Sequence, residues 1–183
     1  MIDIHSTICE VVGKCKHGAG YGCTRKLGCH ALPATRADTG EIVHARMRKG
    51  SANTQRGARR FIDELVARVG RAGAIDALTC RFDSRFWSND TITVLNRLNE
   101  RYTMAVRCST KGINDAITAI PDDAWTPIAY TDDGEAEVAE CDYTTGSGTK
   151  AVTRRLVVRR TRLTDKARLK LWRTSQRSIR GRR

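Results

Sequence analysis

The first quarter of the chain shows the pattern of extended structure. Residues 2–12 are rich in β-branched side chains and partly alternate between apolar and polar, which predicts a strand. Residues 29–36 and 41–48 are two shorter extended segments around Ala37-Asp38-Thr39-Gly40, a composition that favours a hairpin. The glycine-rich residues 13–28 would form the connection between the first two segments. Together these segments predict an antiparallel meander.

The spacing of the apolar residues becomes that of a helix after residue 53. Phe61, Leu65 and Val69 recur at helical spacing, which predicts a helix over 54–70. Ser88 stands where an N-cap is expected for a second helix over 88–100. The neighbouring segments predict, in chain order, a strand over 76–83, another over 102–108 and a short helix over 113–119.

Three extended runs separated by turn residues follow residue 125. They cover 128–130, 136–143 and 151–159 and predict a small antiparallel insertion. Three meander strands followed by alternating helix and strand is the order of the ribonuclease-H-like fold. We therefore expect an α/β (α+β) fold, with a mixed sheet, flanking helices and a small antiparallel β insertion, incomplete at the C-terminus. The expected domains are a partial core over 1–124, a β-rich insertion over 125–163 and a basic tail over 164–183 that is first helical and then disordered.

Composition narrows the class of protein. Apolar residues make up 40% of the 183 residues and charged residues 29%, which is typical of a soluble globular chain. No apolar run approaches the roughly 18 residues of a membrane span, so we expect no membrane partner. The N-terminus lacks the pattern of an export signal, and the seven cysteines are an odd number. Both observations favour a cytoplasmic protein with free thiols.

The positive charge is concentrated near the C-terminus. Residues 1–150 hold 20 Lys+Arg and 19 Asp+Glu, whereas residues 151–183 hold 13 Lys+Arg and one acid, and together they give the net charge of +13. Such a segment favours binding to phosphate backbones without sequence readout. The alternative is a solvated tail over 173–183. The candidate DNA-binding residues are Arg154, Arg155, Arg159, Arg160, Arg162, Lys166, Arg168 and Lys170.

The ribonuclease-H-like order directs attention to acids at strand ends. Nucleases with this fold clamp a phosphodiester between two Mg²⁺ ions, which prefer carboxylate oxygens and water. Asp83 stands at the end of a predicted strand and suits the second acid of such a site. The alternative role for Asp83 is to cap the following turn.

Asp3 and His5 compete for the position of the first acid. They lie two residues apart on the opening strand, so they share one face and are offset by about 7 Å. Only one of them can lie close to Asp83. A neutral imidazole suits Zn²⁺ or Fe better than Mg²⁺, and Asp3 alternatively is a solvated residue near the terminus.

A zinc site is a weaker alternative. Cys15, His17, Cys23, Cys29 and His30 lie close in sequence, but no pair has the Cys-x₂₋₄-Cys spacing that is typical of zinc ligands. Nucleophile elbows, P-loops and dinucleotide-binding motifs are also missing from the sequence.

Seven motifs of the chain resemble actinobacterial insertion-sequence transposases of the DDE type that carry a β insertion. In chain order they are residues 3–8 (DIHSTI), 18–22 (GAGYG), 34–41 (ATRADTGE), 44–53 (HARMRKGSAN), 81–88 (RFDSRFWS), 124–127 (AWTP) and 156–160 (LVVRR). The resemblance extends to about residue 172. It implies cut-and-paste transposition, with Mg²⁺ or Mn²⁺ as cofactor, transposon ends and target DNA as partners, and a homodimer in full-length members.

The resemblance also assigns residues. The family's first acid precedes a Ser/Ala-Thr pair, where this chain has His5, and Asp3 matches an acid that family members often carry two places earlier. Asp83 matches the second acid, and Arg85 replaces a glycine of the usual motif, which challenges a tight turn there. The third acid, a Glu, is expected beyond residue 172. On the resemblance Asp3 and Asp83 are the catalytic and metal-binding candidates, His5 is a replaced first acid, and the chain is interpreted as a truncated, inactive core with DNA-binding capacity as the alternative function.

Overall fold

The computed structural model describes residues 1–13, 15–22, 24–146, 148 and 151–169, which form two compact units, 1–107 and 108–183. The first unit contains a seven-stranded mixed sheet. Its strands are β1 (Ile2–Ile4), β2 (Thr7–Glu10), β3 (Gly20–Tyr21), β4 (Leu27–Arg36), β5 (Ile42–Arg48), β6 (Thr79–Phe82) and β7 (Arg101–Met104).

The strand pairing follows the ribonuclease-H-like order. β4 pairs antiparallel with β1, β2 and β5, whereas β1 pairs parallel with β6 and β6 pairs parallel with β7. β1 and β2 share one register along β4, so they behave as a single strand interrupted at His5 and Ser6. Counting them as one gives the order third, second, first, fourth, fifth strand, with two parallel pairs after the meander. This order confirms the fold class expected from the sequence.

The core lies on one face of this sheet. Alternate residues of β4, among them Leu32 and Ala34, are buried in one cluster with residues of α1 (Ala58–Arg71). Phe61 of α1 is fully buried and stacks on His44 of β5, with ring centroids 4.6 Å apart. Burying one such side chain contributes roughly 1.5–3 kcal/mol. The second helix, α2 (Asn89–Arg97), adds Val94 and Leu95 to the same core.

The predicted first helix begins later than expected. Residues 54–57 precede α1 as a loop, because the guanidinium of Arg48 gathers their carbonyl groups. Its Nη1 donates to the carbonyl oxygens of Asn53, Thr54 and Arg56 at 3.1, 2.8 and 3.0 Å. The helix then starts after Gly57, whose φ of 77° is in the left-handed region that favours glycine. Helical periodicity alone contained no sign of this clamp.

The second unit contains the antiparallel sheet that the sequence predicted. Its elements are α3 (Lys111–Thr118), β8 (Thr126–Ile128), β9 (Gly134–Thr145) and β10 (Val152–Leu163). The strands follow the order β10-β9-β8, and β9 and β10 are longer than the predicted runs. Residues 165–169 are helical, and the rest of the predicted basic tail, from Lys170 onward, lies outside the described residues. Within the described part of the chain, none of the helices has the length and apolar character needed to cross a membrane.

Candidate active site

Asp83 lies directly after β6, at the carboxyl end of a buried strand. Its side chain accepts a hydrogen bond from the backbone N–H of Arg85 at 2.7 Å and caps the short 3₁₀ turn Ser84–Phe86. Phe86 anchors that turn, since its ring is fully buried and lies 5.4 Å from the ring of Phe82. The capping role weighed for Asp83 is therefore present, and it also holds the carboxylate in a fixed direction.

Arg85 forms this turn without strain. The resemblance suggested that replacing glycine here would disturb the turn, but Arg85 does not have a positive φ. The Asp83 cap and the buried Phe86 define the turn instead. The expected difficulty at Arg85 was therefore wrong, because the backbone never enters the region that favours glycine.

Asp3 is paired with an arginine on the neighbouring strand. Asp3 of β1 is opposite Arg81 of β6 in the parallel register. The Arg81 guanidinium donates from Nε to one carboxylate oxygen at 2.7 Å and from Nη2 to the other at 2.5 Å. Hydrogen bonding to Asp3 raises the pKa of Arg81 above its ordinary value. Both oxygens of Asp3, a side chain 12% exposed, are thus engaged in a bidentate ion pair.

The β1–β6 register aligns His5, and not Asp3, with Asp83. The last paired residues are Ile4 and Phe82, so one further step along both strands places His5 opposite Asp83. Residues directly opposite on neighbouring strands, such as His5 and Asp83 in this register, have Cα atoms about 4.8 Å apart. Asp3 is diagonal to Asp83, and that geometry separates their Cα atoms by roughly 8 Å. Arg81 occupies the position between those two acids. Continuing this register therefore makes His5 the residue of the opening strand nearest to Asp83, while Asp3 lies diagonal to Asp83 and has both oxygens bound to Arg81.

A loop over residues 49–57 borders this strand end. Ser6 Oγ and Thr54 Oγ1 are 3.2 Å apart, which connects the loop to the opening strand. The amide of Gln55 donates to the carbonyl oxygens of Arg85 and Trp87 at 3.3 and 3.0 Å, which connects the loop to the Asp83 turn. The loop thus holds the His5 and Asp83 segments in place from one side. None of these loop contacts was predicted from the sequence.

Two basic side chains, the buried His30 and the half-buried Arg48, contact the loop. Nδ1 of His30, a residue 4% exposed, lies 2.7 Å from the carbonyl oxygen of Ala52. Burial lowers the pKa of His30 below 6.5, and the nearby charges of Arg48 and Arg85 lower it further. Burial also lowers the pKa of Arg48, whose buried Nη2 has no hydrogen-bond partner among the described residues. His30 is therefore a core residue whose burial favours the neutral imidazole in the folded protein.

The residues at this strand end do not fit a pair of Mg²⁺ or Mn²⁺ ions. Within the described ranges no group of three or more His, Cys, Asp or Glu side chains could hold a metal ion. The donors that the register brings together are one carboxylate, Asp83, and one imidazole, His5. Hard cations prefer several carboxylate oxygens, and the oxygens of Asp3 are already bound to Arg81. We therefore derive no two-metal chemistry from these residues.

The basic candidates on and after β10 fall into two groups. Arg155 pairs with Glu140, Arg160 with Glu137 and Asp122, and Arg168 with Asp165. Arg160 also lies 4.1 Å above the ring of Trp125, and Nη1 of Arg154 donates to Thr145 Oγ1 at 2.6 Å. In the described part of the chain Arg159, Arg162 and Lys166 are exposed and have no acidic partner. Lys170 lies outside the described residues.

The neutralising acids come from β9, where the sequence analysis did not place them. Residues 108–169 hold nine Lys+Arg and ten Asp+Glu, so this stretch is nearly balanced in charge. β9 lies antiparallel to β10 over twelve consecutive pairs, with Glu137 opposite Arg160 and ion-paired with it. Glu135 is opposite Arg162 but forms no ion pair with it. The signal was available in the acidic run 132–142, but only the pairing of β9 with β10 shows that these acids lie beside the arginines.

Comparisons with known proteins give only distant likenesses to solved structures. No family model matches the chain, and no curated protein matches it. Solved structures that are similar include a piggyBac transposase synaptic complex with hairpin DNA, at 15% sequence identity and a TM-score of 0.49. The similarity covers 85% of this chain and 32% of that protein. The ribonuclease-H-like assignment depends on the strand order described above.

The buried His30 predicts a pH dependence of stability. Its pKa is about 6.5 when unfolded and lower when folded, so the unfolded state takes up the proton first as the pH falls. The stability that neutral His30 contributes is complete above pH 6.5 and declines as the pH falls towards the folded-state pKa, by about 1.4 kcal/mol per pH unit. Urea unfolding at pH 5 to 8 should show the difference between the protein and a His30→Gln variant shrinking below pH 6.5. His17→Gln, at an exposed histidine, is the matched control. A difference in unfolding free energy between the protein and His30→Gln that stays constant with pH would contradict this assignment.

Proposed function

We propose that the chain is a degenerate catalytic core of a DDE-type transposase that no longer performs two-metal cleavage of DNA. The observation that carries the proposal is the alignment of His5 with Asp83 while Asp3 is bound to Arg81. The position where a first carboxylate would face Asp83 is occupied by an imidazole. The fold and the transposase-like motifs of the sequence support the ancestry, and the donor set supports the loss of activity.

The chemical consequence concerns charge as well as ligand type. Two facing carboxylates create the negative charge that attracts hard divalent cations to a strand end. With the imidazole of His5 in place of a carboxylate, Asp83 is the one carboxylate that remains at this position. Arg85 in the turn after Asp83 and the half-buried Arg48 add positive charge around His30, whose pKa both of them lower. The electrostatic balance at this strand end therefore opposes binding of a divalent cation.

A charge-restoring variant tests the proposal. Replacing His5 by Asp should create a facing pair of carboxylates and raise the affinity for Mn²⁺ by about tenfold or more, since two negative charges about 5 Å apart attract the cation together. Adding Asp83→Ala to His5→Asp should remove the gain. Electron paramagnetic resonance of free Mn²⁺ measures both affinities without requiring catalysis.

His5→Asn is the matched control, because it changes the side chain at the same position without adding charge. Its Mn²⁺ affinity should equal that of the unchanged protein. The proposal fails if the unchanged protein binds Mn²⁺ tightly and loses that binding on Asp83→Ala or Asp3→Ala.

A second candidate function is nucleic-acid binding without catalysis. The specific observation is the exposure of Arg162 and Lys166 without an acidic partner in the described part of the second unit. The sequence continues from there with six further Lys+Arg and no acid over 170–183. Cations that are not held in ion pairs can displace counterions from a phosphate backbone, which makes the binding dependent on salt and indifferent to sequence.

The salt dependence of binding tests this second candidate. Affinity for a duplex oligonucleotide should fall linearly with salt on a double-logarithmic plot, and Arg162→Gln with Lys166→Gln should reduce the slope by about one for each phosphate contact removed. Arg155→Gln is the control, because Arg155 is already paired with Glu140 and should have less effect. An unchanged slope in the double variant, or affinity that differs strongly between sequences, would contradict it.

A further inference from the structure

The outer edge of β10 has no partner strand within the described residues. β10 is the edge strand of the three-stranded sheet and pairs only with β9. It is twelve residues long, and its register against β9 has no bulge. A long and regular edge presents a row of backbone donors and acceptors to any other extended chain. Proteins usually shorten, kink or cover such an edge.

The ladder defines which backbone groups face outward. The N–H of Thr164 donates to the carbonyl oxygen of Asp133 at 2.8 Å, and this pair continues the β9–β10 register by one step. In an antiparallel pair, hydrogen-bonded positions alternate along the strand. The even-numbered residues of β10 therefore bond to β9, and the odd-numbered residues direct their N–H and C=O groups to the free edge. These outward residues include Thr153, Arg155, Val157, Arg159 and Thr161.

The side chains along this edge are exposed and combine apolar with positive character. Val157 is 57% exposed and Val152 is 43% exposed. Arg159 is exposed two residues from Val157, on the same face of the strand, and has no acidic partner among the described residues. An exposed valine at an open edge is unfavourable in water. Together with the neighbouring arginine it offers a partner an apolar contact beside a positive charge.

The charge pattern determines which strand this edge can accept. β10 contains five arginines and no acid, so a second copy of β10 would add five more arginines to the same ribbon. Like charges in adjacent strands destabilise the pairing, whereas opposite charges stabilise it. We propose that the β10 edge binds an extended acidic segment of a partner protein by strand addition. Main-chain hydrogen bonds to the odd-numbered residues would supply affinity, and Arg159 and Val157 would select an acidic side chain next to an apolar one.

An eight-residue peptide, Glu-Thr-Val-Thr repeated twice, is a direct probe, because it presents Glu and Val in turn on one face of the added strand. A fluorescent version should bind the full chain in an anisotropy titration, whereas the same peptide with Lys in place of Glu should not. Arg159→Glu should weaken binding at least about tenfold, because it places like charges side by side. Arg68→Glu, an equal charge change at an exposed position of α1, is the matched control and should leave affinity unchanged.

Two further measurements separate strand addition from simple charge attraction. Val157→Pro removes an outward N–H without removing a ladder bond to β9, so it should abolish binding while the sheet remains folded. If that variant does not fold, the acidic peptide methylated on every second amide nitrogen replaces it, and this peptide should not bind. Equal binding of the methylated peptide, or equal losses in the Arg68→Glu and Arg159→Glu variants, overturns the proposal. The proposal is also overturned if the acidic peptide does not bind and a single-stranded oligonucleotide binds instead, with an affinity that depends on Arg159.

Discussion

The parallel pairing of β1 with β6 is the constraint on which the candidate site depends. It joins the first residues of the chain to a strand almost eighty residues later, and the bidentate contact between Asp3 and Arg81 connects the two strands on the face opposite the core. Because side chains alternate along a strand, this one register decides every neighbour at the strand end. With Asp3 opposite Arg81, the residue that faces Asp83 is His5.

In this register Asp3 forms an ion pair with Arg81, and Asp83 is a separate carboxylate. A buried carboxylate whose two oxygens accept hydrogen bonds from one guanidinium is satisfied, and releasing it for a metal would leave Arg81 without its partner. Asp83 meanwhile caps the turn that follows β6. Each acid thus has a structural role that is complete without a cation, and the loop over 49–57 holds the same strand end together through hydrogen bonds. The arrangement stabilises this end of the sheet through contacts among the protein's own side chains and backbone.

Much of the fold could be predicted from local signals, and the site could be predicted only in part. The capping Ser88 and the helical spacing of Phe61 and Leu65 depend on neighbours within a few residues, so the sequence indicated those elements directly. The competition between Asp3 and His5 could be stated from the sequence but not decided, because the answer depends on a pairing across nearly eighty residues. The clamp of Arg48 on the 53–56 carbonyls and the acids of β9 beside the β10 arginines are likewise long-range arrangements. Hydrophobic periodicity contains no information about them.

Disulfide trapping of the β1–β6 register tests the central claim most directly. Cysteines replacing His5 and Asp83 would have Cα atoms about 4.8 Å apart, within the range of roughly 4.4–6.8 Å that a disulfide spans, whereas cysteines replacing Asp3 and Asp83 would be roughly 8 Å apart. Under mild oxidation with oxidised glutathione, peptide mapping by mass spectrometry should find the 5–83 disulfide and not the 3–83 disulfide. A 3–83 disulfide formed in preference to 5–83 would contradict the register and restore a facing pair of acids.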